Sequence, residues 1–194
     1  MANEKYALLD TDFISKMYLI RKDDRNKLID KIMAMPNYTF YCHDQINALH
    51  VGRTEFLEKL TLDCEAIGAG KNLGELKSYV LLQVLNMKFG QRVYVFCSDD
   101  KNARNGVVAI GGASCISVLS SFVRLQKEIH FSREDAEPYI KSYMSCCLGK
   151  NQTTFRIQDT SKERRMRKVP CEQVFDEIFA GKIDEMRTGN LKYI

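Results

Sequence analysis

Tyr6-Ala7-Leu8-Leu9 is apolar without interruption and stops dead at Asp10. A strand with one wet face alternates; a short unbroken run belongs to a strand buried on both faces, the situation inside a parallel sheet covered by helices. "RVYVFC" at 92–97 repeats the pattern and runs into Ser98-Asp99-Asp100, while "YTFYC" at 38–42 is aromatic and β-branched. Helical spacing fills the intervals. Phe13, Ile14, Met17, Tyr18 and Leu19 form one face, and Leu28, Ile29, Ile32 and Met33 another that ends before Pro36. His43-Asp44 opens a segment with Ile46, Leu49, Phe56, Leu57 and Leu60 at helical spacing, and Leu73 to Phe89 reads as a long helix stopped by Gly90. Lys101–Ala109 and Val118–Gln126 read as helices around a short strand in "GGASCIS", and Ser132 is placed to cap a helix over "REDAEPYIKSYMSCCL". Strands alternating with helices predict an α/β domain with a mostly parallel central sheet over residues 1–150.

From Asn151 the pattern changes. "TTFRIQD" alternates like an exposed strand, Lys162 to Lys168 is densely basic, and "PCEQVFDEIFAG" reads as an amphipathic helix ended by glycine. Residues 151–194 are therefore expected to form a small basic α+β appendage.

Composition narrows the class. A chain of 194 residues with 45% hydrophobic and 28% charged residues has length for a sizeable core. No apolar stretch reaches bilayer-spanning length, and "MANEKYALLD" has no apolar core of a leader peptide, so no membrane partner and a cytoplasmic location are expected. The seven cysteines lack CxxC spacing, and Cys42, Cys64, Cys97 and Cys115 fall in or near apolar segments, as small buried hydrophobes do. The adjacent Cys146 and Cys147 are a candidate redox pair. Net charge of +4 names no partner, but its concentration at 162–168 offers a phosphate-binding segment.

In a parallel sheet all strand C-termini share one edge, and sites form there. Asp10 and Asp99 end two strands, Asp44 follows a third, and Glu75 opens the helix that leads to the Asp99 strand. Taken singly each has a plainer reading, as a helix cap or a first-turn acid stabilised by the helix dipole. Taken together, four acids from distant segments converge, and clustered carboxylates call for a hard divalent cation. Asp100 is expected beside Asp99 as a supporting group of the metal site or as the cap of the next helix. Lys71, Lys101 and Arg104 lie near the same edge; Arg164, Arg165, Arg167 and Lys168 make the densest cationic cluster, read either as a contact for phosphates or as a solvated loop. His43 and His50 are read as structural, as are Phe13, Tyr18 and Tyr41.

"YALLDTDFI" at 6–14, "LGELKSYVLLQVL" at 73–85 and "VYVFCSDDKNAR" at 93–104 together resemble the PIN-domain (PilT N-terminus-like) family of metal-dependent ribonucleases. The resemblance covers roughly residues 5–126 and implies a three-layer α/β/α fold. By it, Asp10, Glu75 and Asp99 are catalytic metal-binding acids for Mg²⁺ or Mn²⁺, Asp12 is a supporting ligand, and Thr11 lies beside the substrate. The family places a further acid before a leucine after the second strand; here Ala48 precedes Leu49, and Asp44, one turn earlier, is the available substitute. The implied activity is endonucleolytic cleavage of RNA by metal-activated water. Implied partners are RNA, an antitoxin-like protein inhibitor if the chain is a toxin, and a second copy of itself. The departure at Ala48 keeps open a catalytically weak RNA- or protein-binding module. A phosphatase with Asp10 as nucleophile is disfavoured, because Phe13-Ile14 stands where that chemistry's first motif continues with Gly-Thr.

Overall fold

The computed structural model describes residues 5–43, 58–60, 80, 82–83, 87, 94–110, 113–149, 152–157, 167–185 and 192–193. Five strands form one sheet: β1 (Lys5–Leu9), β2 (Tyr38–His43), β3 (Glu58–Leu60), β4 (Tyr94–Cys97) and β5 (Ala113–Ile116), in the order β3-β2-β1-β4-β5. β1 runs parallel to both β2 and β4, and β2 parallel to β3, so four neighbouring strands point the same way. Six helices are described: α1 (Thr11–Leu19), α2 (Leu28–Met33), α3 (Lys101–Ile110), α4 (Val118–Ile129), α5 (Arg133–Cys146) and α6 (Cys171–Phe179). Three further strands, β6 (Thr154–Ile157), β7 (Arg167–Pro170) and β8 (Lys192–Tyr193), make a second sheet, antiparallel, in the order β7-β6-β8. The protein is thus mixed α/β with a parallel main sheet. No helix among the described residues is long and apolar enough to cross a membrane.

The chain gathers into two compact units, each discontinuous in sequence: Met1–Phe13 with Asn37–Cys115, and Ile14–Pro36 with Ile116–Ile194. In the first, the unbroken apolar runs are buried on both faces as their sequence requires. Tyr6 to Leu9, Phe40 to Cys42 and Val95 to Cys97 are all in the core, and Tyr6 stacks on Tyr41 across neighbouring strands. Each large aliphatic or phenylalanine side chain among them contributes about 1.5–3 kcal/mol of burial. Within the segment 73–89, the described residues Val80, Leu82, Gln83 and Met87 are helical and Leu82 is buried.

The second unit packs α4, α5 and α6 around a ring cluster. Phe175 meets Phe122 edge-on at 5.1 Å and Tyr143 at 5.6 Å, geometry that pairs positive ring edges with negative faces. Ser117 and Ser120 cap α4 reciprocally, and Ser132 caps α5 through the Asp135 N–H, as its sequence predicts. Gly181, just past α6, has φ +70, the left-handed region glycine tolerates best.

Two elements differ from expectation. Leu60, read as part of a helix, lies in β3, whose Glu58 to Leu60 pair with Tyr41 to His43. "TFRI", read as an exposed strand, is the middle strand of its sheet, and Phe155 is wholly buried. His43 ends β2 rather than opening a helix; the helix expected from Asp44 onward, with Ala48, lies outside the described residues.

Candidate functional site: an acidic edge of the parallel sheet

β1 and β4 are adjacent and parallel, with Leu9 in register with Cys97, so the residues that follow them emerge side by side. The Asp10 N–H still donates to the Cys97 carbonyl at 2.8 Å, carrying the ladder one residue past β1. The chain then turns into α1, and the Asp10 carboxylate accepts the Thr11 N–H at 2.8 Å through Oδ1. A carboxylate at a helix start satisfies an otherwise unpaired donor and meets the positive end of the helix dipole.

Ser98 organises what lies opposite. It is fully buried, and its hydroxyl lies 2.9 Å from Asp10 Oδ2 and 3.4 Å from Asp12 Oδ1. Two carboxylates thus share one hydroxyl. Ser98 Oγ also accepts the Asp100 N–H at 3.1 Å, and the Asp99 N–H donates to Asp12 Oδ1 at 3.3 Å. Asp10, Asp12 and Asp99 are half-buried, whereas Asp100 is exposed. The Asp100 carboxylate accepts the Asn102 N–H at 2.7 Å and its carbonyl accepts the Arg104 N–H, the geometry of a helix cap on α3.

Arg104 is buried beneath this turn and donates from Nη1 to the Ser98 carbonyl at 2.7 Å. Its guanidinium therefore holds the Ser98 turn from inside. Lys101 is exposed in the first turn of α3, and Thr11 is half-buried at the start of α1. The structure brings together Asp10, Asp12, Ser98, Asp99 and Asp100. Glu75, Asp44 and Lys71 lie outside the described residues, as do His50, Arg164 and Arg165.

The remaining two basic candidates stand on β7. Arg167 is clasped by Glu177 of α6, with Nη1 2.9 Å from Oε1 and Nη2 on Oε2; Lys168 is exposed. Phe13 and Tyr41 are buried in the core, and Tyr18 lies under the Lys27 ammonium, 3.9 Å from its ring centre.

No family model, curated protein or solved structure matches this chain. Among the described residues no group of three or more His, Cys, Asp or Glu is disposed to hold a metal ion. The described donors at the edge are hard carboxylate oxygens, and they fit the hydrated mode in which Mg²⁺ is held by one or two carboxylates and several waters. A cavity of about 440 Å³ beside Met144, Leu148 and Cys171, and a groove of about 750 Å³ beside Lys31, His130 and Tyr139, both lie in the second unit and neither is lined by these acids.

Sequence reading missed Ser98. The signal was present: Ser98 is the first polar residue after a doubly buried strand and stands directly before an acid pair.

Proposed function

We propose that this chain is a PIN-like, Mg²⁺- or Mn²⁺-dependent endoribonuclease. One observation carries the reading: the carboxylates of Asp10 and Asp12 meet at the Ser98 hydroxyl, beside Asp99, at the C-terminal ends of two adjacent parallel strands. Parallel sheets place their sites at that edge, and paired half-buried carboxylates are suited to a divalent cation. Such a cation would supply an acidified water and charge stabilisation at the phosphodiester.

The chain's own part is positioning. Ser98 orients both carboxylates with one hydroxyl, and Arg104 fixes the Ser98 turn through its carbonyl. Asp99 follows directly on that turn, and its backbone N–H steadies Asp12. Glu75 and Asp44, by the sequence resemblance, would complete the set. Lys101, exposed at the start of α3, is placed to meet a phosphate.

The test is cleavage of a labelled single-stranded RNA by the purified chain. Cleavage should require Mn²⁺ or Mg²⁺, stop with EDTA, and fall at least a hundredfold in Asp10→Asn and in Asp99→Asn, because paired acids at a metal site act as a unit. Cleavage that survives chelation or both substitutions would refute it.

A second reading, a binding module that keeps the fold with little catalysis, has its own observation. Asp10, Asp12 and Asp100 each already accept a backbone or hydroxyl hydrogen bond within the fold. On that reading RNA binds equally well with and without Mn²⁺, and no product forms.

A further inference from the structure

β6 lies between β7 and β8, and the register aligns three basic residues across the sheet. Lys168 of β7 is opposite Arg156 of β6, and Arg156 is opposite Lys192 of β8. Residues directly opposite in an antiparallel pair share a face, with Cβ atoms about 4.5–5.5 Å apart, and like charges so placed destabilise the sheet. Arg156 and Lys168 are both exposed, whereas their neighbours Phe155 and Val169, also opposite one another, are buried. One face of this sheet is therefore core and the other carries the cations. Arg167, one residue along, differs: Glu177 neutralises it. Among the described residues no carboxylate forms an ion pair with Arg156 or Lys168.

A cross-strand pair of repelling cations that no described carboxylate neutralises is a surface suited to an external polyanion. We propose that the exposed, cross-strand pair Lys168 and Arg156 forms a rail for the phosphate backbone of single-stranded RNA. That the pair takes a polyanion follows from its charge and register; that the polyanion is RNA rests on the reading of the acidic edge given above. An anionic membrane is a poorer complement, because surface-lying elements bury an apolar face in the lipid, and the apolar residues Phe155 and Val169 are turned into the core. The pair extends the basic cluster seen in the sequence to Arg156, and leaves Arg167 to its ion pair.

The experiment is fluorescence anisotropy of a labelled oligouridylate with the full chain in EDTA, where no metal-dependent cleavage occurs. Two phosphate contacts predict a slope of about −1.4 in log K against log salt, at about −0.7 per contact on a single strand. Lys168→Glu turns a repelling cross-strand pair into an attracting one. It should weaken binding about tenfold or more while the thermal midpoint holds or rises, a combination that mere damage to the sheet cannot produce. Arg156→Ala should lower the slope by about 0.7. Unchanged affinity and slope in both variants would overturn the rail, as would a lower midpoint in Lys168→Glu or equal capture by phosphatidylserine vesicles. Binding without any cleavage in Mn²⁺ would sink only the nuclease reading. Cleavage with wild-type KM in Lys168→Glu would sink only the rail.

Discussion

Adjacent aspartates at 99 and 100 repel, and the fold separates their duties. Asp100 turns outward to cap α3, while Asp99 stays half-buried next to the Ser98 turn. Ser98 itself is the most exacting residue of the edge: it is buried, it touches two carboxylates, and it accepts an amide hydrogen. Cys115 shows the same interior from a titrating group. Burial pushes its thiol from 9.0 up to about 11, against a weaker opposite pull from the Arg104 charge. A thiol whose pKa is raised by folding keeps its proton in the folded chain after the unfolded chain has lost it. The thiol's contribution to stability is therefore complete below pH 9 and is lost as pH rises through the window from 9 to about 11. Urea midpoints at pH 8 and pH 10.5 should diverge more for the native chain than for Cys115→Ser; equal divergence would show that the thiol is not the cause.

Among the elements, α6 carries the second unit. Phe175 lies against both Phe122 and Tyr143, so Phe175→Ala removes two ring contacts at once and leaves a void; a loss of about 3–5 kcal/mol is expected, read from denaturant midpoints. A change below 1 kcal/mol would mean that α6 is not anchored through that ring. Why were some elements legible in the sequence and others not? β1 and β4 announce themselves because a strand buried on both faces has little room for polar residues, β2 through its aromatic and β-branched residues, and the capped α5 because Ser132 begins it. β3 has three residues, Glu58-Lys59-Leu60, too few for any period, and only its pairing with β2 makes it a strand. The alternation of β6 was legible, but its central position depends on β8, which returns from residues 192–193. Pairing across that distance leaves no local trace. At the acidic edge, the positions of Asp10 and Asp99 could be read from the strands they end, whereas the Ser98 linkage needed coordinates.

At the scale of the molecule, neither unit is a single stretch of chain. The second draws on α2 from near the N-terminus and on everything after Cys115, and its ring cluster joins Phe122 and Tyr143 to Phe175. Cutting the chain after residue 150 therefore uncovers the rings of Phe122 and Tyr143. Limited proteolysis of the fragment 1–150 should open α4 and α5 far sooner than in the full chain; equal resistance would show that α6 and the small sheet are dispensable to that core. The interleaving has a further consequence during synthesis on the ribosome. Leu28, Ile29 and Ile32 of α2 are wholly buried in the finished protein, and the helix packs on α4, which begins at Val118. At about 5–20 residues per second of translation, those greasy side chains wait several seconds for their cover, a window in which a nascent-chain chaperone has something to hold.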